Sequence, residues 1–231
     1  MRVLHVTPYF APAFRYGGPP RSILGLCRAL TAAGVELEVF TTTANGDQPL
    51  AAAPNGVEYE GVRVRYFPLA WPKRYWHAEG LQSALATAAH AADVVHVHGL
   101  WNMTSWSGIS SAREARTPYA ISPRGMLQPE AMRRHHQMKM LAYWGIERRH
   151  LRSAALLHAT SDAEKCELTH YGTAVAMIVL SSATSAVVSM TDASTGPRSD
   201  RSPSPAAPAV VVAAISKDAA ICQTLRNRSV R

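Results

Sequence analysis

Apolar positions along the first three quarters of the chain recur at two spacings. Val3-Leu4-His5-Val6 is a short, mostly apolar run of the kind that forms a buried strand, and "SILGLCRAL" places Ile23, Leu24, Cys27 and Leu30 on one helical stripe. Pro19 and Pro20 suit the first turn of that helix, where a missing N–H costs nothing, and Gly34 suits its end. "VELEVFTT" and "VRVRYF" alternate as strands, "LQSALATAAHAA" is helical and leads into the strand "DVVHVHG", and "PYAIS" and "ALLHAT" predict two more strands. Helices are predicted at "TSWSGISSAREA", from Glu130 to about Leu151, and at "SDAEKCELTHY". Repeated strand–helix units predict an α/β fold with a doubly wound, mostly parallel sheet, whose ligands sit at the carboxyl ends of the strands.

The pattern changes after about Leu180. Residues 181–231 contain no Phe, Tyr or Trp, the last aromatic being Tyr171, and Ala, Ser, Pro, Val and Thr dominate. Such a segment has little with which to build a core and reads as a low-order tail in which only "AVVVAAI" has strand character. The expected organisation is a domain over 1–180 and an Ala/Ser/Pro-rich tail over 181–231.

Of the 231 residues, 47% are hydrophobic and 17% charged, as in a soluble globular protein, and no apolar run reaches the length of a membrane span. The short run after Met1-Arg2 is too brief for a signal-peptide core. Cys27, Cys166 and Cys222 show no C-x-x-C spacing, so neither a disulfide framework nor a zinc ribbon is indicated, and a cytoplasmic setting is expected. The net charge of +8, of which six Lys or Arg against three Asp put +3 in the tail, favours an anionic partner without choosing among nucleic acid, lipid and phosphorylated substrates. The stretch "RRHHQMKMLAYWGIERRHLR" joins Arg133, Arg134, Lys139, Arg148, Arg149 and Arg152 to interleaved apolar residues. It reads either as a solvated basic helix face or as a surface for peripheral contact with an anionic membrane. No nucleic-acid-binding motif accompanies it, so no nucleic-acid partner is expected.

Three loops that follow strands carry the candidate chemistry. In "RYGGPPRS", Gly17 and Gly18 precede a helix and let backbone N–H groups approach an anion at its positive end, although a tight turn would use the same residues. In "DVVHVHGLW", His96 and His98 share one face of a strand, with His98 at its carboxyl end. A metal pair would need a third ligand, and no H-E-x-x-H or Cys-rich partner accompanies them. The preferred division is His98 on a ligand and His96 as a structural residue. In "SPRGML", Arg124 could offer its fork to a phosphate or carboxylate, or pair with a surface acid. Trp101 and Trp106 read as packing residues or as platforms for a sugar face.

Together, "LHVTPYFAPAFRYGGPPRSILGLCRALTAAGVELEVFTT", "DVVHVHGLW", "ISPRGML" and "ERRHLRSAALLHATSDAE" resemble the amino-terminal half of a family 4 glycosyltransferase, over about Met1 to Gly172. The resemblance implies the GT-B architecture of two Rossmann-like domains. It implies a retaining sugar transfer from a nucleotide-sugar to a glycan or lipid-linked acceptor, with no metal or other cofactor. By the same resemblance Gly17 and Gly18 match the glycine-rich loop near donor diphosphate and acceptor, His98 the strand-end histidine on the donor sugar, and Arg124 a recurring "PRG" position. The chain has no D-x-D, in keeping with metal independence, and no two glutamates eight positions apart, so the E-x7-E of the carboxyl-terminal domain is missing. The expected polypeptide is therefore the acceptor-side half, cut short or frameshifted near Leu180 and inactive alone. The alternatives are a non-catalytic sugar- or acceptor-binding module, or half of a split transferase whose second domain is a separate polypeptide.

Overall fold

The structure is a computed structural model that describes residues 1–171, together with the backbone of Met177–Val179 and Val187–Ser189. The chain divides into two compact units, Met1–Thr117 and Pro118–Arg231.

In the first unit, β1 (Arg2–Val6), α1 (Gly18–Ala32), β2 (Glu36–Thr42), β3 (Ala53–Tyr59), β4 (Val62–Phe67), α2 (Leu81–Ala91), β5 (Val94–His98) and α3 (Met103–Glu114) follow in order. The strands lie in the order β3-β4-β2-β1-β5, all parallel except β3, which pairs antiparallel with β4. From β1 the chain crosses through α1 to β2 on one side; from β4 it crosses through α2 to β5 on the other. Right-handed crossovers in opposite directions place the helices on opposite faces, which is the doubly wound arrangement. The predicted stripe of α1 is inward, with Ile23, Leu24, Cys27 and Leu30 buried. On the other face α3 presses close: a Cβ on Gly108 would stand 3.0 Å from the Val6 side chain, tighter than ordinary contact, so a larger residue would have to push Val6 aside. β3 escaped the sequence reading because its positions are mostly exposed and it holds Pro54, Asn55 and Gly56, residues that signal turns. It is an edge strand with a register shift between Ala53 and Val57, where such residues are tolerated.

In the second unit, β6 (Tyr119–Ser122), α4 (Pro129–Arg133), α5 (His136–Ala142), α6 (Arg148–Ser153), β7 (Leu156–Ala159), α7 (Asp162–His170), β8 (Met177–Val179) and β9 (Val187–Ser189) follow in order. β6, β7 and β8 pair in parallel and β9 runs antiparallel to β8. The single helix predicted from Glu130 to about Leu151 is broken. His135 takes a left-handed φ of 56°, and residues 143–147 form a π-helical turn between α5 and α6. Neither Gly nor Pro marks the first break, so periodicity alone could not find it. "AVVVAAI" and most of the tail over 181–231 lie outside the described residues.

The long connection from β1 to α1 is tied to β2 and β4 by hydrogen bonds. Thr7 N–H donates to the Phe40 carbonyl at 3.1 Å and Thr42 Oγ1 to the Pro8 carbonyl at 2.7 Å, so β2 fixes its start. Tyr66 of β4, 5% exposed, donates its hydroxyl to the Ala11 carbonyl. Burial, with a smaller contribution from Tyr59, pushes that phenol far above its usual range, so it stays a proton donor at any pH the fold survives. Tyr66→Phe leaves the Ala11 carbonyl buried without this partner, and a stability loss of about 1–2 kcal/mol is expected in urea unfolding. An unchanged midpoint would show that the tyrosine does not anchor the loop.

Candidate functional site

The carboxyl edge of the first unit is built by two loops. The first ends in a short turn at Phe14–Tyr16 and then Gly17, whose φ of 86° and ψ of −135° make it the N-cap of α1. A side chain at Gly17 would meet no heavy atom within 4 Å, so conformation and not space demands glycine there. The loop is stapled to the turn after β2. Tyr9 stacks on Tyr16 at 4.4 Å, the Tyr16 hydroxyl accepts from Gly46 N–H at 2.9 Å, and Arg15 Nη1 donates to the Asn45 carbonyl at 3.2 Å. A Cβ on Gly46 would fall 2.2 Å from the Arg15 guanidinium, so a side chain there would displace Arg15 from the turn. Gly17 and Gly18 are exposed, and the space around Gly18 is equally open. Pro19 and Pro20 occupy the next two helical positions and bring no N–H, while Gly17 N–H already donates to the Phe14 carbonyl at 3.1 Å. The mouth of α1 therefore offers an anion one amide, that of Gly18, together with the helix dipole.

The second loop leaves β5 at His98. Gly99 and Trp101 turn the chain with φ of 86° and 60°, and Asn102 caps α3 by accepting from Ser105 N–H at 2.8 Å. Ser105 Oγ donates to the His98 carbonyl at 3.2 Å, tying the strand end to the helix. His98 is 1% exposed, and its Nε2 lies 3.0 Å from Nδ1 of His5. His5 pairs in register with His96, so the three imidazoles share one face of neighbouring strands. Their rings stand at centroid separations of 5.0 Å (His5–His96), 5.3 Å (His5–His98) and 4.1 Å (His96–His98). Trp101 and Trp106 are half-buried.

Arg124 belongs to the second unit, in the loop after β6, half-buried and with a φ of 58°, followed by Gly125 at 75°. Two successive left-handed residues reverse the chain sharply, and Glu164 holds the reversal. This carboxylate, 1% exposed, accepts from Gly125 N–H at 2.7 Å through Oε1. Its Oε2 accepts from Thr160 N–H at 2.6 Å and from Thr160 Oγ1 at 2.7 Å. Ser161 caps α7 by accepting from Glu164 N–H at 3.2 Å, so a Ser-x-x-Glu cap has its glutamate turned to the neighbouring loop.

The sequence profile of the glycosyl transferase 4-like domain family matches residues 17–182. The chain belongs to that family. No curated protein matches it. Among solved structures, sucrose-phosphate synthase from Thermosynechococcus elongatus is similar at 17% identity and a TM-score of 0.53, over 80% of this chain and 49% of that one. Anabaena HepE in complex with UDP-glucose is similar at 17% identity and a TM-score of 0.48, over 78% of this chain and 43% of that one. The fold of this glycosyl transferase 4-like chain is thus the Rossmann-like α/β fold of GT-B glycosyltransferases, and the chain spans about half the length of the synthase it matches.

Of the residues singled out in the sequence, Gly17, Gly18 and His98 lie on the carboxyl edge of the first unit's parallel strands, and Arg124 on that of the second unit. His5 and Glu164 were missed. His5 stands before the family match and inside an apolar run, and only the pairing of β1 with β5 reveals its neighbours. Glu164 had a signal in its spacing from Ser161, but that spacing predicts a cap and not a clamp on a loop 39 residues away. Glu164→Ala removes the shared acceptor of three donors. A loss of about 3 kcal/mol is expected in urea unfolding, with faster tryptic cleavage after Arg124. Wild-type cleavage and stability would show that the clamp is dispensable.

Proposed function

We propose that this chain supplies the acceptor-side half of a retaining glycosyltransferase, which moves a sugar from a nucleotide-sugar to a glycan or lipid-linked acceptor. The family match over residues 17–182 carries this reading. In such a transfer the leaving diphosphate gains charge as the glycosidic bond breaks, and donors aimed at that charge lower the barrier. Gly18 N–H and the dipole of α1 are suited to that task, Arg124 to a phosphate or carboxylate, and His98 to the sugar. Because Nε2 of His98 faces His5, the sugar contact falls to Nδ1. The transfer itself is proposed to need no metal or other cofactor.

The domain matched by the family profile is expected to be inactive on its own. The test is an assay of the purified chain for hydrolysis of, or transfer from, a panel of nucleotide-sugars, with and without a co-expressed carboxyl-terminal domain from a family member. No turnover alone and turnover with the added domain is the expected pair of results, and the restored rate should fall in Gly18→Pro. That substitution keeps the helical φ and replaces the amide hydrogen with the pyrrolidine ring. Turnover by the chain alone would overturn the half-enzyme reading. Nucleotide-sugar or glycan binding with no turnover in either case would favour a binding module.

A second observation favours peripheral contact with an anionic membrane. Among the described residues no helix is long and apolar enough to cross a bilayer. Yet Met138, Leu141 and Trp144, at three-residue spacing along α5 and the π turn, are 57%, 77% and 64% exposed. Arg133, Arg134, Arg149 and Arg152 are exposed in the same segment, and Arg148 lies over the Trp144 ring at 5.2 Å. Apolar side chains among exposed cations are what an interfacial surface needs. In co-sedimentation the chain is expected to bind phosphatidylglycerol vesicles and not phosphatidylcholine vesicles. Leu141→Ser with Trp144→Ser should weaken binding about tenfold or more. Equal binding to both lipids, or an unaffected double variant, would remove the membrane reading.

A further inference from the structure

We propose that His5, His96 and His98 form a binding site for a borderline divalent transition metal ion, of which zinc is the commonest for such donors. The inference shares His98 with the transferase reading, which uses its other ring nitrogen, and assigns the ion no part in sugar transfer. Each imidazole presents one nitrogen, and the three nitrogens lie within 4.8 Å of one another. One pair, His5 Nδ1 and His98 Nε2, stands at 3.0 Å. Zinc–nitrogen bonds are about 2.0–2.1 Å, so two ligands of a tetrahedral ion stand about 3.4 Å apart. One pair is therefore already near ligand spacing, and the third nitrogen lies within 4.8 Å of both.

The backbone supplies the preorganisation. His5 and His96 are register partners on parallel strands and His98 is two residues further along one of them, so all three project from one rigid patch of sheet. All three are buried, with exposures of 0%, 0% and 1%. Three neutral imidazoles select zinc, cobalt, nickel or copper over magnesium or calcium, which prefer oxygen. They leave the ion's charge uncompensated, so the fourth ligand is hydroxide or a readily deprotonated water. Bound there, the metal would cross-link β1 to β5 and appear as added stability, loaded most readily as the chain folds.

The competing arrangement of the same residues is a dry cluster in which His5 and His98 share a hydrogen-bond proton and no ion enters. The two are separated on untagged full-length chain carrying His135→Ala and His136→Ala, which removes an exposed histidine pair able to bind metal adventitiously. The chain is refolded with Zn²⁺ or Co²⁺, desalted over a chelating resin, and assayed for bound metal, visible cobalt d–d bands and thermal midpoint. About one equivalent should be retained, with bands of a four- or five-coordinate ion and a raised midpoint. His5→Asn and His96→Asn should each abolish them. Because these variants could fail to fold, X-ray absorption at the zinc edge of the histidine-pair variant is the second measurement, and a first shell with three imidazoles is expected. Retention of only a small fraction of an equivalent, a shell with fewer than three imidazoles, or undiminished binding in folded His5→Asn would overturn the proposal.

Discussion

The parallel pairing of β1 with both β2 and β5 is the constraint on which the first unit depends. Val3, Val6, Val94, Val95 and Val97 are wholly buried, so the strands can lie together only in a register that keeps both faces covered. Once that register is set, three things follow without further choice. His5 faces His96. The loop after β1 emerges beside the end of β2, where Thr42 and Phe40 bind it. The turn after His98 is aimed over the same edge, where Ser105 and Asn102 fix it. A slip of one residue between β1 and β5 would put His5 on the opposite face of the sheet from His96 and His98. The functional edge is thus specified by aliphatic packing two or three residues away from it.

The mouth of α1 shows a trade between rigidity and chemistry. Two prolines at the start fix φ for the first turn and lower the entropy lost on folding, but each removes an amide that a helix mouth would otherwise present. Gly17 turns the chain in a conformation closed to other residues, and Gly18 retains the one remaining donor. A phosphate bound there would be held by few, well-placed groups, and any further charge compensation must come from side chains. The sequence pair Gly-Gly suggests a multi-amide cradle; the two residues that follow it limit what that cradle can be.

Much of the fold was legible in the sequence because it rests on local periodicity. The stripe of α1, the alternation of β4 and the apolar run of β5 each encode their own burial. What escaped detection depends on partners distant in sequence or on backbone geometry without a residue signature. β3 is exposed and contains Pro54 and Gly56, the break at His135 needs a left-handed residue that histidine seldom adopts, and His5 becomes chemically interesting only beside His96. The sequence indicated Gly17, Gly18 and His98 in the first unit, and Arg124 in the second, by their places at or after strand ends. It could not show that His98 has one ring nitrogen already turned to another histidine.

The loop carrying Arg124 illustrates how a backbone that is costly for its own residues is kept. A left-handed φ at an arginine costs on the order of 1 kcal/mol, whereas Gly125 adopts its own positive φ freely, so the strain of the turn rests on Arg124. Glu164 supplies the compensation, because a buried carboxylate must find donors, and the donors within reach are the amide of Gly125 and both donors of Thr160. The charge and the strained turn satisfy each other. The conformation that points Arg124 out of its strand therefore costs little in net stability. Arg124 is thereby carried on a fixed backbone turn.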